Sequence, residues 1–111
     1  MSRSQQRKGA DAERELASIL SEYGFTTVRG GSQTFGTVPD VTGLPGIHIE
    51  VKRVERLNLS EAMQQAVRDA ERFRDGLPAV FHRRNRKPWL VTMRLQDWMT
   101  IYTRPGGQGT D

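Results

Sequence analysis

The stretch GIHIEVKR, residues 46–53, alternates apolar and polar side chains, which is the period of a strand with one buried face. The apolar positions are Ile47, Ile49 and Val51, and the polar positions are His48, Glu50 and Lys52. We therefore predict a strand here. Residues two apart on a strand are roughly 6.6 Å apart on the same side, so Glu50 and Lys52 can share one small site. Solubility alone would also explain their charges.

The segments on either side of this strand predict an α/β domain. Before it we expect a helix, a strand, a Gly-rich loop and a second strand, at 9–25, 25–29, 30–40 and 38–43. After it we expect a helix capped by Ser60, two strands and a short helix, at 61–75, 78–82, 88–93 and 94–102. The α-β-β-β-α-β-β order favours a central mixed sheet of about five strands flanked by helices.

The connections and ends of the chain complete this prediction. The turn from Gly43 to Gly46, which contains Pro45, should fold residues 38–43 against the 46–53 strand as a hairpin. The apolar stripe of the first helix consists of Ala12, Leu16, Ile19, Leu20 and Tyr23. We expect a single domain over residues 9–103, a basic flexible arm at 1–8 and a flexible tail at 104–111.

The composition indicates a small protein with a polyanionic partner. The chain has 111 residues, and its 17 Lys and Arg against 13 Asp and Glu give a net charge of +4. Such an excess favours nucleic acid binding. Cysteine is absent, which excludes disulfide scaffolds, thiolate zinc sites and cysteine nucleophiles. The first residues lack the apolar run of a signal peptide, and no stretch could span a bilayer, so we expect a cytoplasmic location and no membrane partner.

The predicted hairpin can bring Asp40 beside Glu50. Two carboxylates and Lys52 at one end of a sheet suit metal-assisted phosphodiester hydrolysis, because Mg²⁺ binds hard oxygen ligands and usually needs only one or two protein carboxylates. The metal activates water while the lysine positions that water or offsets developing charge. Taken singly, each of these motifs is more often surface decoration. Their order across a short Gly/Pro turn favours a nuclease site.

Residues 39–40, PD, followed by EVK at 50–52 on a strand, resemble the PD-(D/E)xK nuclease superfamily. With RKGADAEREL at 7–16, GFTTVR at 24–29 and IHIEVK at 47–52, the chain resembles the archaeal-type Holliday junction resolvases and their phage-borne relatives. The resemblance covers roughly residues 7–93. It implies a restriction-endonuclease-like core and a two-fold homodimer that acts on four-way DNA junctions in a prokaryotic or phage-infected cell.

The same resemblance implies the functional residues. The catalytic set it assigns is Glu13, Asp40, Glu50 and Lys52, and the Mg²⁺ ligands, with Mn²⁺ able to substitute, are Glu13, Asp40, Glu50 and Val51. The DNA-binding residues we expect are Arg7, Lys8, Arg14, Arg29, Ser32, Arg53, Arg83, Arg84, Arg86 and Lys87. Periodicity does not distinguish Glu13 from Glu15, since both flank the apolar stripe; only the resemblance selects Glu13. We take His48 and His82 as structural, and Trp89 and Trp98 as core or dimer contacts.

These observations favour a Mg²⁺-dependent, structure-selective DNA endonuclease, and a Holliday junction resolvase in particular. Two segments depart from the family pattern: the 30–40 loop is longer, and residues 53–59 are less basic. A restriction-like or repair nuclease that acts on flap or duplex DNA is therefore the first alternative. A basic DNA-binding module without catalysis is the second, although such a module has no need of clustered carboxylates near phosphates.

Overall fold

The computed structural model describes residues 3–30 and 39–105. Within these ranges the elements, in chain order, are α1 Arg3–Glu22, β1 Val28–Arg29, β2 Val41–Thr42, β3 Ile47–Arg53, α2 Leu59–Phe73, β4 Leu77–Arg83, β5 Leu90–Thr92 and α3 Leu95–Tyr102. This order is the one predicted from the sequence. None of the helices in the described ranges has the length and apolar content needed to cross a membrane.

The strands form one five-stranded sheet in the order β1-β2-β3-β4-β5. The β3–β4 pair is parallel and the other three pairs are antiparallel, so the predicted mixed sheet is confirmed. The predicted hairpin is present, with Val41 opposite Ile49. Its turn places Gly43 at φ 122°, where a Cβ would overlap the carbonyl oxygen of Thr26, so this position requires glycine.

The two longer helices cover opposite faces of the sheet. On the α1 face, Ala12 and Leu16 pack against a cluster that includes Ile49, Val51 and Phe81. On the other face, α2 packs against β4 through two small residues, Ala62 and Ala66, which contact Val80. Because β3 lies between both layers, its polar face is buried beneath α2 rather than exposed to solvent. Burial of this face is what places charged groups in the interior.

Three local expectations were wrong. Helix α1 begins at Arg3 instead of at Gly9, because Arg, Gln and Lys are good helix formers and one glycine does not end a helix. The stripe of α1 ends before Tyr23, which is 77% exposed. The cap of α2 is Asn58 and not Ser60: the Asn58 side chain accepts the Glu61 N–H at 3.0 Å. The division into arm, domain and tail otherwise stays a prediction.

The second edge of the sheet leaves an apolar surface exposed. Strand β5 and helix α3 contribute its residues, which are Leu90, Val91, Leu95, Trp98, Met99 and Tyr102. Trp98 and Tyr102 stack with their ring centroids 4.9 Å apart. We call this set of residues the β5–α3 face; Leu90 and Val91, as neighbours on a strand, contribute to it from opposite sides of the sheet. Apolar patches of this kind on a small domain commonly mark contact sites.

Replacement of Asn58 by alanine should lower the free energy of unfolding by about 1 kcal/mol, because the first turn of α2 loses the acceptor for the Glu61 N–H. The matched control is Ser60→Ala, which removes an exposed hydroxyl two residues later and should change stability by less than about 0.5 kcal/mol. Urea denaturation followed by circular dichroism measures both. Equal losses in the two variants would contradict the assignment of the cap.

Candidate active site

Strand β3 presents Glu50 and Lys52 on its α2 face, as their spacing predicts. The Glu50 side chain is 3% exposed, although it carries a carboxylate. Lys52 Nζ lies 3.9 Å from Glu50 Oε2 and donates a hydrogen bond to Gln65 Oε1 at 3.3 Å. Gln65 belongs to α2 and was not identified from the sequence. Its contact holds the ammonium beside the buried carboxylate.

Asp40 lies immediately before β2 and reaches across to β3. Its Oδ2 accepts the backbone N–H of Val51 at 3.1 Å, which fixes the carboxylate next to the residue that follows Glu50. Burial and then the negative charge of Glu50 raise the pKa of Asp40 to about 7, with a smaller contribution from Glu13. The Val51 N–H and the Lys52 charge oppose this rise. The hairpin therefore brings Asp40 and Glu50 into one electrostatic unit.

The two glutamates of α1 have different surroundings. Glu13 Oε1 accepts a hydrogen bond from Arg29 Nε at 2.8 Å. Burial raises the pKa of Glu13, and the Glu50 charge adds to the rise, while Arg29 and Arg14 oppose it. Glu13 is thus close enough to Asp40 and Glu50 for their charges to affect one another. The structure separates it from Glu15, a distinction that periodicity could not make.

Glu15 lies at the centre of a separate ion-pair network. Its carboxylate accepts two hydrogen bonds from Arg83, at 2.8 and 3.1 Å, and a third from Trp89 Nε1 at 2.9 Å. Arg53 Nη1 lies 3.8 Å from Glu15 Oε2. These partners neutralise Glu15 and join α1 to β4 and to the segment before β5. Trp89 is therefore half-buried and packed against the core, as one of its two sequence interpretations proposed.

The ligand types expected at this end of β3 are those of a hard divalent cation, although Glu13, Asp40 and Glu50 are not, within the described ranges, a group whose ligand atoms all lie within 4.8 Å of one another. Glu13, Asp40 and Glu50 offer carboxylate oxygens, the ligands that Mg²⁺ prefers. Burial, and after it the charge of neighbouring carboxylates, raises the pKa values of Glu13 and Asp40, and a bound cation would favour their charged forms. Val51, the fourth expected ligand position, donates its N–H to Asp40 and so orients one of the carboxylates.

Behind Glu50, the same face of β3 carries His48, which is 1% exposed. Both oxygens of Asp75 lie 2.9 Å from His48 Nδ1, and the ring stacks on Phe73 with a centroid distance of 6.2 Å. Burial alone lowers the pKa of His48, but the Glu50 and Asp75 carboxylates outweigh it and hold this pKa above its usual value. In the part of the chain that the structure describes, His48 Nε2 has no hydrogen-bond partner, and it lies 3.6 Å from Glu50 Oε1.

Asp69 of α2 completes this second group. His48, Glu50 and Asp69 each offer one ligand atom, and these atoms all lie within 4.8 Å of one another. Within the described ranges this is the one set of three such side chains that meets this distance criterion. The sequence held a weak signal for it: Asp69 follows Gln65 by one helical turn, and His48 precedes Glu50 by one strand period. Nothing in the sequence paired the helix with the strand.

The expected DNA-binding residues form two groups, one ion-paired with glutamates of the protein and one exposed to solvent. Arg29 is paired with Glu13, and Arg53 and Arg83 face Glu15. Arg14 is 62% exposed and pairs with the exposed Asp11 at 3.0 Å. The side chains of Arg7 and Lys8, and all of Ser32, lie outside the part that the structure describes.

The β4–β5 connection holds the exposed group. Arg84, Arg86 and Lys87 are all exposed there. The turn is tied to the end of β3 because the Asn85 N–H donates to Glu55 Oε2 at 2.7 Å. The neighbouring His82 has a structural contact, with Nε2 at 2.8 Å from Thr92 Oγ1, and burial lowers the pKa of its imidazole.

Comparison with known proteins identifies relatives of this fold and site. Residues 4–102 match the model of a family described as archaeal Holliday junction resolvase (Hjc). The chain is also similar to a solved structure, the 1.6 Å structure of Archaeoglobus fulgidus Hjc, a Holliday junction resolvase from an archaeal hyperthermophile. The two share 27% sequence identity with a TM-score of 0.58, over 80% of this chain and 74% of that one. No curated protein sequence shows a significant match.

The raised pKa of Asp40 gives a stability prediction. The folded state retains a proton that the unfolded chain releases, so stability falls as the pH rises from about 4 to about 7 and stays low above that. Without divalent cations at pH 8, Asp40→Asn should have a free energy of unfolding higher than that of the wild type by on the order of 2 kcal/mol, and should therefore melt at a higher temperature. The gain should shrink at pH 5.

The control for this experiment is Asp11→Asn, which removes a charge from the exposed surface of α1. It should shift the melting temperature little at either pH. Calorimetry in EDTA at the two pH values measures all three proteins. No gain for Asp40→Asn at pH 8, or the same gain in both variants, would show that Asp40 carries no unfavourable charge.

Proposed function

Because this chain belongs to the archaeal Holliday junction resolvase family, we propose that it is a Mg²⁺-dependent endonuclease that resolves four-way DNA junctions. The observation that carries the metal dependence is the Asp40–Glu50 pair. Asp40 is held by the Val51 amide, and its pKa is raised to about 7 by burial and by the charge of Glu50. A buried carboxylate pair of this kind, next to a lysine, is suited to phosphodiester hydrolysis.

Each residue of the site has a separate task in this proposal. When bound, Mg²⁺ or Mn²⁺ supplies Lewis acidity to the phosphate and lowers the pKa of a water molecule. Asp40 and Glu50 are the principal ligands, and Arg29 orients Glu13 toward them. Lys52, held by Gln65, positions the attacking water or offsets charge on the phosphate as it develops. Its proximity to Glu50 keeps the ammonium at the site in the absence of DNA.

The main alternative function differs from the proposed one in its substrate. A flap or duplex nuclease would use the same carboxylates and lysine, and the segment in which the sequence departs most from the family pattern includes residues 31–38, outside the described ranges. Cleavage of a four-way junction, a flap and a linear duplex of matched sequence, each in Mg²⁺, distinguishes these functions. A non-catalytic binding module would cut none of them.

A resolvase requires two active sites related by symmetry, because two strands of the junction must be cut. One chain carries a single Asp40–Glu50 pair, so we propose a two-fold homodimer. Its interface is the β5–α3 face, whose apolar side chains are exposed. The sequence alone indicates two candidate interfaces, a face of the second helix or the strands around Phe81, Trp89 and Leu90. Phe81 is 7% exposed and belongs to the core, whereas Leu90 is 56% exposed and is part of the proposed interface.

The DNA path in this proposal follows the exposed cations. Arg14 on α1 and the turn with Arg84, Arg86 and Lys87 offer guanidinium and ammonium groups to phosphates. Binding through such contacts should weaken steeply as salt is added. We place the protein in the cytoplasm of a prokaryotic or phage-infected cell, where it would meet branched DNA.

Lys52→Met should retain the fold, since methionine replaces most of the aliphatic stem, and should reduce the single-turnover cleavage rate by ~100-fold or more. Lys87→Met is the matched control, because it removes the same charge from the exposed β4–β5 turn. It should weaken junction binding and leave the rate at saturation nearly unchanged. Unchanged cleavage in Lys52→Met would remove this lysine from the mechanism.

Leu95→Glu should separate the proposed dimer into monomers, because it places a charge in the β5–α3 face at a side chain that is 74% exposed. The control is Tyr23→Glu, which alters an equally exposed side chain at the end of α1. Sedimentation at micromolar concentration measures assembly, and junction cleavage measures its consequence. The monomer should nick junctions without resolving them. A wild-type monomer that resolves junctions would refute the dimer proposal.

A further inference from the structure

We propose that His48, Glu50 and Asp69 form a second cation site, distinct from the Mg²⁺ position beside Asp40 and specific for a divalent transition metal of the Mn²⁺ or Zn²⁺ type. The site lies between β3 and α2 and shares Glu50, but not Asp40, with the Mg²⁺ position. It extends the chemistry of this end of the sheet beyond hard oxygen ligands.

The first support is the convergence of three different ligand atoms. One from each side chain lies within 4.8 Å of the other two, although the residues come from two separate elements. An ion bound at about 2.0–2.2 Å from each donor requires such a spacing, after small side-chain rotations. Exposed carboxylates often cluster by chance, but here His48 and Glu50 are 1% and 3% exposed.

The second support is an unpartnered nitrogen aimed into the cluster. His48 Nε2 is buried, has no hydrogen-bond partner among residues 3–30 and 39–105, and lies 3.6 Å from Glu50 Oε1. That separation is too long for a hydrogen bond. A buried polar atom without a partner is rare and needs a physical reason. A metal ion between the nitrogen and the oxygen supplies one.

The third support is the orientation of the imidazole. Both oxygens of Asp75 lie 2.9 Å from Nδ1, so in the neutral ring the Nδ1–H is donated to that carboxylate and the lone pair lies on Nε2, where a metal ion would replace the proton of the imidazolium. Histidine ligands of metals usually have such a carboxylate partner on the other nitrogen. Phe73, stacked on the ring at an interplanar angle of 14°, further fixes its plane.

Glu50 connects the two sites through its separate oxygens. Oε1 faces His48 at 3.6 Å, whereas Oε2 faces Lys52 at 3.9 Å. Oε1 is therefore the oxygen that the second site would use, and Oε2 remains on the side of Lys52. Asp69 is less buried than the other two ligands, which leaves the cluster a route to solvent on the α2 side.

The ligand chemistry determines the class of metal. Mg²⁺ prefers an all-oxygen environment and retains several waters, so an imidazole ligand disfavours it. One imidazole with two carboxylates suits Mn²⁺ or Zn²⁺, ions that accept nitrogen as well as oxygen. Mn²⁺ is the appropriate probe, because its electron spin reports a directly bonded nitrogen.

The experiment is a titration of the DNA-free full-length protein with Mn²⁺, followed by electron paramagnetic resonance with detection of nitrogen coupling. We expect nitrogen-coupled Mn²⁺ in the wild type and in Asp40→Asn. Asp69→Asn should reduce the affinity of the protein for the nitrogen-coupled Mn²⁺ by at least ~10-fold, because loss of a residue that only contacts a ligand already has an effect of about that size. His48→Gln should abolish the coupling. Glu71→Gln, an exposed change on the same helix, is the control and should match the wild type.

Wild-type Mn²⁺ without nitrogen coupling would overturn the proposal, and His48 would then be a buried imidazolium paired with its carboxylates. Equal affinity of Asp69→Asn and Glu71→Gln for nitrogen-coupled Mn²⁺ would also overturn it. The readout requires no DNA cleavage. A protein that fails to cut junctions in Mg²⁺ and still shows the coupling would refute the proposed function while supporting this second site.

Discussion

The parallel pairing of β3 with β4 is the constraint on which the rest of the molecule depends. It runs in continuous register from Ile47 opposite Leu77 to Arg53 opposite Arg83. It starts with the Leu77 N–H donating to the Gly46 carbonyl at 2.8 Å, where the absence of a Cβ at Gly76 allows the two backbones to meet. With α1 on one face and α2 on the other, β3 has no solvent-exposed side. Its charged residues must therefore find partners inside the protein.

Those partners come from every neighbouring element, and the balance between them is incomplete. Lys52 and Arg29 offset part of the negative charge of Glu50 and Glu13, while the direct donor that the described residues give Asp40 is the Val51 amide. Burial of like charges raises the pKa of Asp40 and lowers the stability of the folded chain at neutral pH. Proteins retain such unfavourable arrangements where function requires them.

The sequence predicted features that depend on local periodicity. The alternation in residues 46–53 and the spacing of Glu50 and Lys52 are visible as a repeat along the chain. The Gly43–Gly46 turn is visible from its glycines and proline. The cap of α2 was misplaced by two residues, because Asn58 and Ser60 are both suitable acceptors and only the backbone geometry distinguishes them.

Contacts between distant elements could not be predicted in this way. Glu13 and Glu15 both flank the apolar stripe of α1, so periodicity does not distinguish them. Their partners do: Glu13 contacts Arg29, whereas Glu15 contacts Arg83 and Trp89. The grouping of His48 with Asp69 likewise depends on how α2 lies across β3. A single sequence shows the residues of such a cluster, but it does not show the packing angle of the helix on the strand that brings them together.

The network around Glu15 has a consequence for which substitutions the chain can tolerate. Arg53 and Arg83 both have largely buried side chains, so loss of Glu15 leaves their guanidinium groups without the anion that compensates their desolvation. Loss of Arg83 alone leaves the opposite charge uncompensated. Divergence at these positions should therefore proceed through joint replacement, with apolar residues of similar volume as the accessible endpoint. Two neighbouring glutamates on one helix are thus under opposite selection: Glu13 for a charge that stays available, and Glu15 for a charge that stays neutralised.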